Sequence, residues 1–154
     1  MSATQIPHRA WILIADGGRA IIVRNDGQPR APKLALVRRH EHDNPPTRAQ
    51  GTDKPGRTNA SVGIRRSSME PTDYHQQEED RLMVDVAAAL AEDLRLQNFS
   101  ELIIAAAPIA LGVLRKAMSS ELQKAVIAEV PKDFTKVLLP DLGDALDKAL
   151  QAAA

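Results

Sequence analysis

The chain contains no cysteine among its 154 residues. That excludes disulfides, cysteine-ligated zinc and thiol nucleophiles, and it fits a reducing compartment. No apolar run approaches the roughly 20 residues that a membrane-spanning helix requires. The opening residues, MSATQIPHRAWILIADGG, lack the cationic start, long apolar core and small-residue cleavage site of a secretory signal. A soluble cytoplasmic protein is the expectation. Aromatic residues are few, with one Trp, one Tyr and two Phe. Neither G-x-x-x-x-G-K-S/T nor G-x-G-x-x-G occurs, and the one Gly-Gly pair, Gly17-Gly18, lies between two β-rich runs rather than between a strand and a helix. A glycine loop that cradles a nucleotide phosphate is therefore not expected.

What is present reads as one α/β domain. The run Leu102–Ala107 is apolar, stops at Pro108, and is followed by apolar residues at helical spacing, Leu111, Leu114, Ala117 and Met118. This is a buried strand feeding a helix. Pro108 suits the first helical turn, where its missing N–H would have no partner. Gly112 is expected where that helix comes close to the sheet. Upstream, Ala10–Asp16 and Ala20–Arg24 flank Gly17-Gly18 and predict a β-hairpin whose turn uses the positive φ that glycine permits. Asn25-Asp26-Gly27 and Pro29 mark a second turn. Lys33–His40 predicts a third antiparallel strand at an edge, with Leu34, Leu36 and Arg38 on one side.

Asp73 to Gln97 predicts the longest helix, with Asp73 and Gln76 as a capping box and Leu82, Val86, Leu90 and Leu94 as its apolar stripe beside Met83. Ser120 with Gln123 predicts a second capping box and a short helix to about Ala125. Val126–Val130 predicts a last strand, stopped by Pro131. Leu142, Ala145, Leu146, Ala149 and Leu150 predict a final helix after Pro140. The expected fold is a mixed five-stranded sheet with an N-terminal antiparallel hairpin and helices packed on it.

Net charge is zero but unevenly placed. Residues 1–66 hold 12 Lys or Arg against 5 Asp or Glu, and the remainder has the opposite imbalance. The periodicity stops at about 43–72, a long stretch punctuated by Pro and Gly. Between residues 44 and 66 it carries Arg48, Lys54, Arg57, Arg65 and Arg66 against Asp53, a net charge of +4. Cations in this number neutralise nucleic-acid phosphates without reading sequence. No ring interleaves with them, Tyr74 being the nearest, so stacking on bases is not signalled. The alternative is a solvated loop with no ligand.

Other chemistry is thinly represented. His40 and His42 share a strand end with Asp43, but no further metal ligands cluster in the sequence. Asp16 ends the first strand, and Glu129 and Asp133 flank the end of the last. Carboxylates meeting at strand ends are what a metal-dependent nuclease needs. The competing role for Asp16 is local: a turn residue whose carboxylate accepts from backbone N–H groups.

AWILIADGGRAIIVR, KLALVRRHEH, a Gly/Pro/Arg segment ending near MEP, LIIAAAPIALGVLRKAMS and VIAEVPKDFT resemble the bacterial host attachment protein family over about residues 9–150. The most specific pieces are Ala15–Ala20, Ala107-Pro108 with Leu111-Gly112 and Leu114-Arg115, and Lys132–Thr135. The layout also resembles the middle domain of archaeal and eukaryotic peptide-chain release factors. There, a hairpin-led sheet is followed by a long basic loop whose Gly-Gly-Gln helps water attack the peptidyl-tRNA ester. Here the corresponding stretch reads PGRTNASVGIRRSS and has no Gly-Gly-Gln. The resemblances imply a release-factor-like fold and a non-enzymatic, cofactor-free contact with ribosomal RNA or tRNA through the five cations, with an indirect effect on attachment. A metal-dependent hydrolase using Asp16 and a protein-interaction module are the two other classes.

Overall fold

The structure, a computed structural model, describes residues 5–41 and 71–153. Its strands are β1 (Trp11–Ala15), β2 (Arg19–Asn25), β3 (Leu34–Glu41), β4 (Leu102–Ala106) and β5 (Val126–Val130). Its helices are α1 (Pro71–Arg95), α2 (Pro108–Ala117), α3 (Ser120–Ala125) and α4 (Leu139–Ala153). The strands form one mixed sheet in the order β3-β2-β1-β4-β5. β1 is antiparallel to β2, β2 to β3, while β4 runs parallel to both β1 and β5. The α/β fold, the hairpin and the edge position of β3 are as expected from sequence. No helix among the described residues is long and apolar enough to cross a membrane.

β1 and β4 are buried along their whole length because helices cover both faces of the sheet. Trp11, Leu13, Leu102 and Ile104 face α1, α2 and α3, where Leu82, Val86, Leu90, Leu111, Leu114 and Leu122 complete the core. Ile12, Ile14, Ile103 and Ala105 face α4, which contributes Leu142, Leu146 and Leu150. Each fully buried Leu or Ile stabilises by about 1.5–3 kcal/mol relative to exposure. Trp11 stacks on Phe99 with ring centroids 4.8 Å apart.

Several local expectations are corrected. The short helix α3 is capped by Ser119, not Ser120: the Ser119 hydroxyl accepts from Leu122 N–H at 3.2 Å, while Gln123 donates to the carbonyls of Arg115 and Met118. Ser119 has the extended backbone of an N-cap, and Ser120 is already helical. The helix α1 ends at Arg95 by a left-handed residue, Gln97 at φ 63, with Asn98 N–H bonded back to Asp93 O and Gln97 N–H to Leu94 O. These two bonds satisfy carbonyls the last turn leaves open. α1 begins at Pro71, so Asp73, expected as its cap, is already helical, and Gln76 donates to Asp80 at 2.7 Å instead of closing a capping box.

The edge strand β3 carries a bulge: Ile22 pairs with Arg38 but Val23 pairs with Leu36, so Val37 is the extra residue. Leu36 therefore faces the α4 side and Arg38 the α1 side, where its guanidinium donates to Asp93 at 2.5 Å. The shared face predicted for Leu34, Leu36 and Arg38 is broken at that bulge.

Pro108 does open α2 at its first turn. Gly112, however, makes no close approach: a Cβ placed on it meets nothing within 4 Å. The residue is half-exposed, so its only local effect is the entropy it adds to the unfolded chain. Gly112→Ala is expected to raise unfolding free energy by about 0.5–1 kcal/mol. A urea melt checks this, and a loss of stability would mean that the open space is filled in solution.

Candidate functional site

In open α/β sheets the natural crevice lies outside the carboxyl ends of strands whose connections leave in opposite directions. Here β1 exits towards β2 and β4 exits through α2 towards β5. The crevice between them is bordered by the Asp16–Arg19 turn, by Ala107 at the start of α2, and by the segment after β5.

Asp16 organises this end. Its Oδ1 accepts from Gly18 N–H at 2.7 Å and Arg19 N–H at 2.9 Å, and its own N–H bonds Arg19 O. The turn thus uses the local role predicted for Asp16. It does not use positive φ, since no described glycine has one. Position 17 instead lies against the end of a flexible side chain. A Cβ there would lie 2.3 Å from Glu79 Oε1 of α1, so the carboxylate would have to move. Gly17, Glu79, Asp80 and Gln76 border a 170 Å³ cavity with Ala107 and Ile109. No side chain caps the first turn of α2, which also has no acidic residue. Its positive dipole end faces this crevice uncompensated from within the helix.

The segment after β5 reaches the same turn. Thr135 is buried, and its Oγ lies 2.6 Å from Asp133 Oδ1 and 3.2 Å from Asp16 Oδ2. The hydroxyl has one proton, so it serves one carboxylate at a time, and the shorter distance assigns it to Asp133. Asp133 Oδ1 also accepts Thr135 N–H at 2.7 Å, and Arg19 donates to Thr135 O at 3.3 Å. The two motifs Ala15–Ala20 and Lys132–Thr135 are therefore one junction in space. Nothing in either stretch alone signals that Thr135 closes it.

The third carboxylate considered for a metal does not join them. Glu129 accepts from Arg115 Nη2 at 2.5 Å on the β5 edge. Among the described residues no group of three or more His, Cys, Asp or Glu is placed to hold a metal. His40 is half-buried, and its Nε2 accepts from Arg38 Nε at 3.0 Å, which fixes the neutral tautomer with the proton on Nδ1. Burial first, then the neighbouring Arg38 charge, holds its pKa below the ordinary histidine value. His42 and Asp43 lie outside the described residues. So do Arg48, Lys54, Arg57, Arg65 and Arg66, the whole set expected to contact RNA.

The flanks of that basic stretch are described, and both come to the crevice end. Glu41, the last residue before it, pairs with Arg19 across β2 and β3. Residues Gln76 and Glu79, in the second and third turns of α1 after it, stand beside Gly17 and the cavity. Glu41 and the early turns of α1, which precede and follow residues 42–70 in the chain, thus lie on the Asp16 side of the sheet.

No curated protein matches the chain. The model of the bacterial archaeo-eukaryotic release factor family 12 matches residues 9–146, which takes in all five strands and the first half of α4, and the chain belongs to that family.

Proposed function

We propose that the chain is a cytoplasmic, non-enzymatic RNA-binding domain whose contact is ribosomal RNA or tRNA. One observation supports the reading: in a release-factor-family fold, a stretch whose sequence carries a net charge of +4 lies in the chain between Glu41 and α1, both of which stand at the carboxyl-end crevice of the sheet. Arg48, Lys54, Arg57, Arg65 and Arg66 supply the phosphate contacts. The absence of Gly-Gly-Gln from the sequence is the reason for assigning binding rather than ester hydrolysis. The attachment role implied by the sequence likeness then follows indirectly, through translation.

The test is binding to tRNA and to ribosomal RNA by fluorescence anisotropy across a salt series. If about four phosphates are neutralised, affinity falls on the order of a hundredfold between about 50 and 200 mM salt. Replacing the five cations together with glutamine is expected to remove most of the affinity and the salt slope. Binding indifferent to salt, or unchanged in that variant, refutes the proposal.

A further inference from the structure

On the α4 side of the sheet, beyond the junction, an open groove of 240 Å³ runs between β2–β3 and the segment leading into α4. Its floor includes Ile21, Val23 and Leu36, and its wall includes Phe134, Leu138 and Leu139. The three leucines are 45%, 70% and 40% exposed, an unusual run of apolar surface for one small area. Its charged rim comes from the same two strands. The bulge in β3 brings Arg39 onto the face that carries Leu36, which a regular strand would forbid because the two lie an odd number of residues apart. Arg19 and Arg39 line the groove with Glu41, and Lys132 and Lys136 are exposed on the segment that forms the wall. Among the described residues, neither Arg39 nor either lysine has a carboxylate partner. Asp133, on the same segment, accepts from Thr135 and keeps its charge, so four cations face the two carboxylates Glu41 and Asp133 around the groove.

We propose that this groove docks one large apolar side chain from an acidic segment of a partner protein. The volume is below the roughly 300 Å³ at which small-molecule pockets begin, and it suits a single anchor residue. The excess of cations around an aliphatic floor selects negative charge beside that anchor and steers its approach. RNA fits the groove less well. Among the described residues its only ring is Phe134 and the floor is aliphatic, so a base has little aromatic surface to stack on. The proposal rests on the described residues of the groove and not on the RNA reading.

The experiment uses the full chain with labelled Leu, Val and Ile methyls. It is titrated at low salt with the peptide Asp-Glu-Trp-Glu-Asp, with Lys-Lys-Trp-Lys-Lys, and with a short oligouridylate. The expected result is saturable shifts at Leu36, Leu138 and Leu139 with the acidic peptide alone. Leu138→Ser is expected to weaken binding on the order of tenfold. Leu138 is exposed, so this variant keeps the fold, and unchanged methyl positions away from the groove verify that. Arg39→Glu is expected to shift the preference towards the basic peptide. Groove methyls unmoved by the acidic peptide, equal shifts with both peptides, or unchanged affinity in Leu138→Ser would overturn the proposal. Shifts there with oligouridylate but not with the acidic peptide would also overturn it and assign the groove to RNA.

Discussion

Replacing Asn25 with alanine is expected to lower the unfolding free energy by about 3–4 kcal/mol, the sum of a few orphaned polar groups at 1–3 kcal/mol each. Asn25 is fully buried at the end of β2. Its amide donates to the carbonyls of Ile6 at 2.9 Å and Pro7 at 3.3 Å. Its side-chain oxygen accepts from Gly27 N–H at 2.8 Å and Lys33 N–H at 2.9 Å. One side chain therefore holds the N-terminal segment, the turn after β2 and the entry to β3. Alanine leaves two carbonyls and two N–H groups without it. For a chain of this size a loss of 3–4 kcal/mol lowers Tm by on the order of 10 °C. Asn25→Asp is expected to cost as much, because a carboxylate keeps the acceptor but faces two carbonyl oxygens with no proton to give. Thermal and urea unfolding of both variants decides this, and a cost under about 1 kcal/mol for either would mean that water replaces the amide.

The turn chemistry of Asn25-Asp26-Gly27 is legible in the sequence, but the burial of Asn25 is not. Nothing local says that Ile6 and Pro7 return to cover it. The sheet, by contrast, is written in runs such as WILIA, LIIAA and VIAEV, whose apolar residues leave one choice of face or none. Val126–Val130 is found with the bounds predicted. The errors fall where two neighbours could play one part. Ser119 and Ser120 both precede a Gln or Leu at cap spacing, and only the backbone at Ser119 is extended. Gly112 carries no mark that separates close packing from open space. The bulge in β3 needs its partner strand to be seen, and it decides which face carries Arg38 and which carries Arg39. The candidate site shows the same limit over longer range: Asp16 is readable as a turn residue, while its contact with Thr135 spans 119 residues. The five cations are legible as charge, and what the fold adds is the end of the sheet to which their flanks belong.

Asp16→Ala is expected to cost about 3 kcal/mol, since charge-assisted bonds to a carboxylate are each worth about 1.5–3 kcal/mol and partial exposure discounts them. The variant leaves Gly18 N–H and Arg19 N–H without their acceptor and removes the second carboxylate beside Thr135. Asp16→Asn is expected to cost only about 1 kcal/mol, because an amide oxygen accepts both N–H groups. Its NH₂ can donate to Thr135 Oγ, whose own proton stays with Asp133 at 2.6 Å. Thr135→Val, made alone and with Asp16→Ala, is expected to be less than additive, since both remove the same junction. This pattern separates two roles for Asp16. A residue that shapes a turn is rescued by asparagine. A residue that binds a catalytic metal is not, because the neutral amide is a much poorer ligand and cannot act as a base. Parallel unfolding and RNA-binding measurements on the Asn and Ala variants therefore bear on function as well as stability. Near wild-type stability and tRNA binding in Asp16→Asn, with loss of stability in Asp16→Ala, is the outcome expected of a scaffold that presents the basic stretch. Metal-dependent RNA cleavage by the wild-type chain, abolished in Asp16→Asn without loss of fold, would contradict it and make Asp16 a catalytic residue.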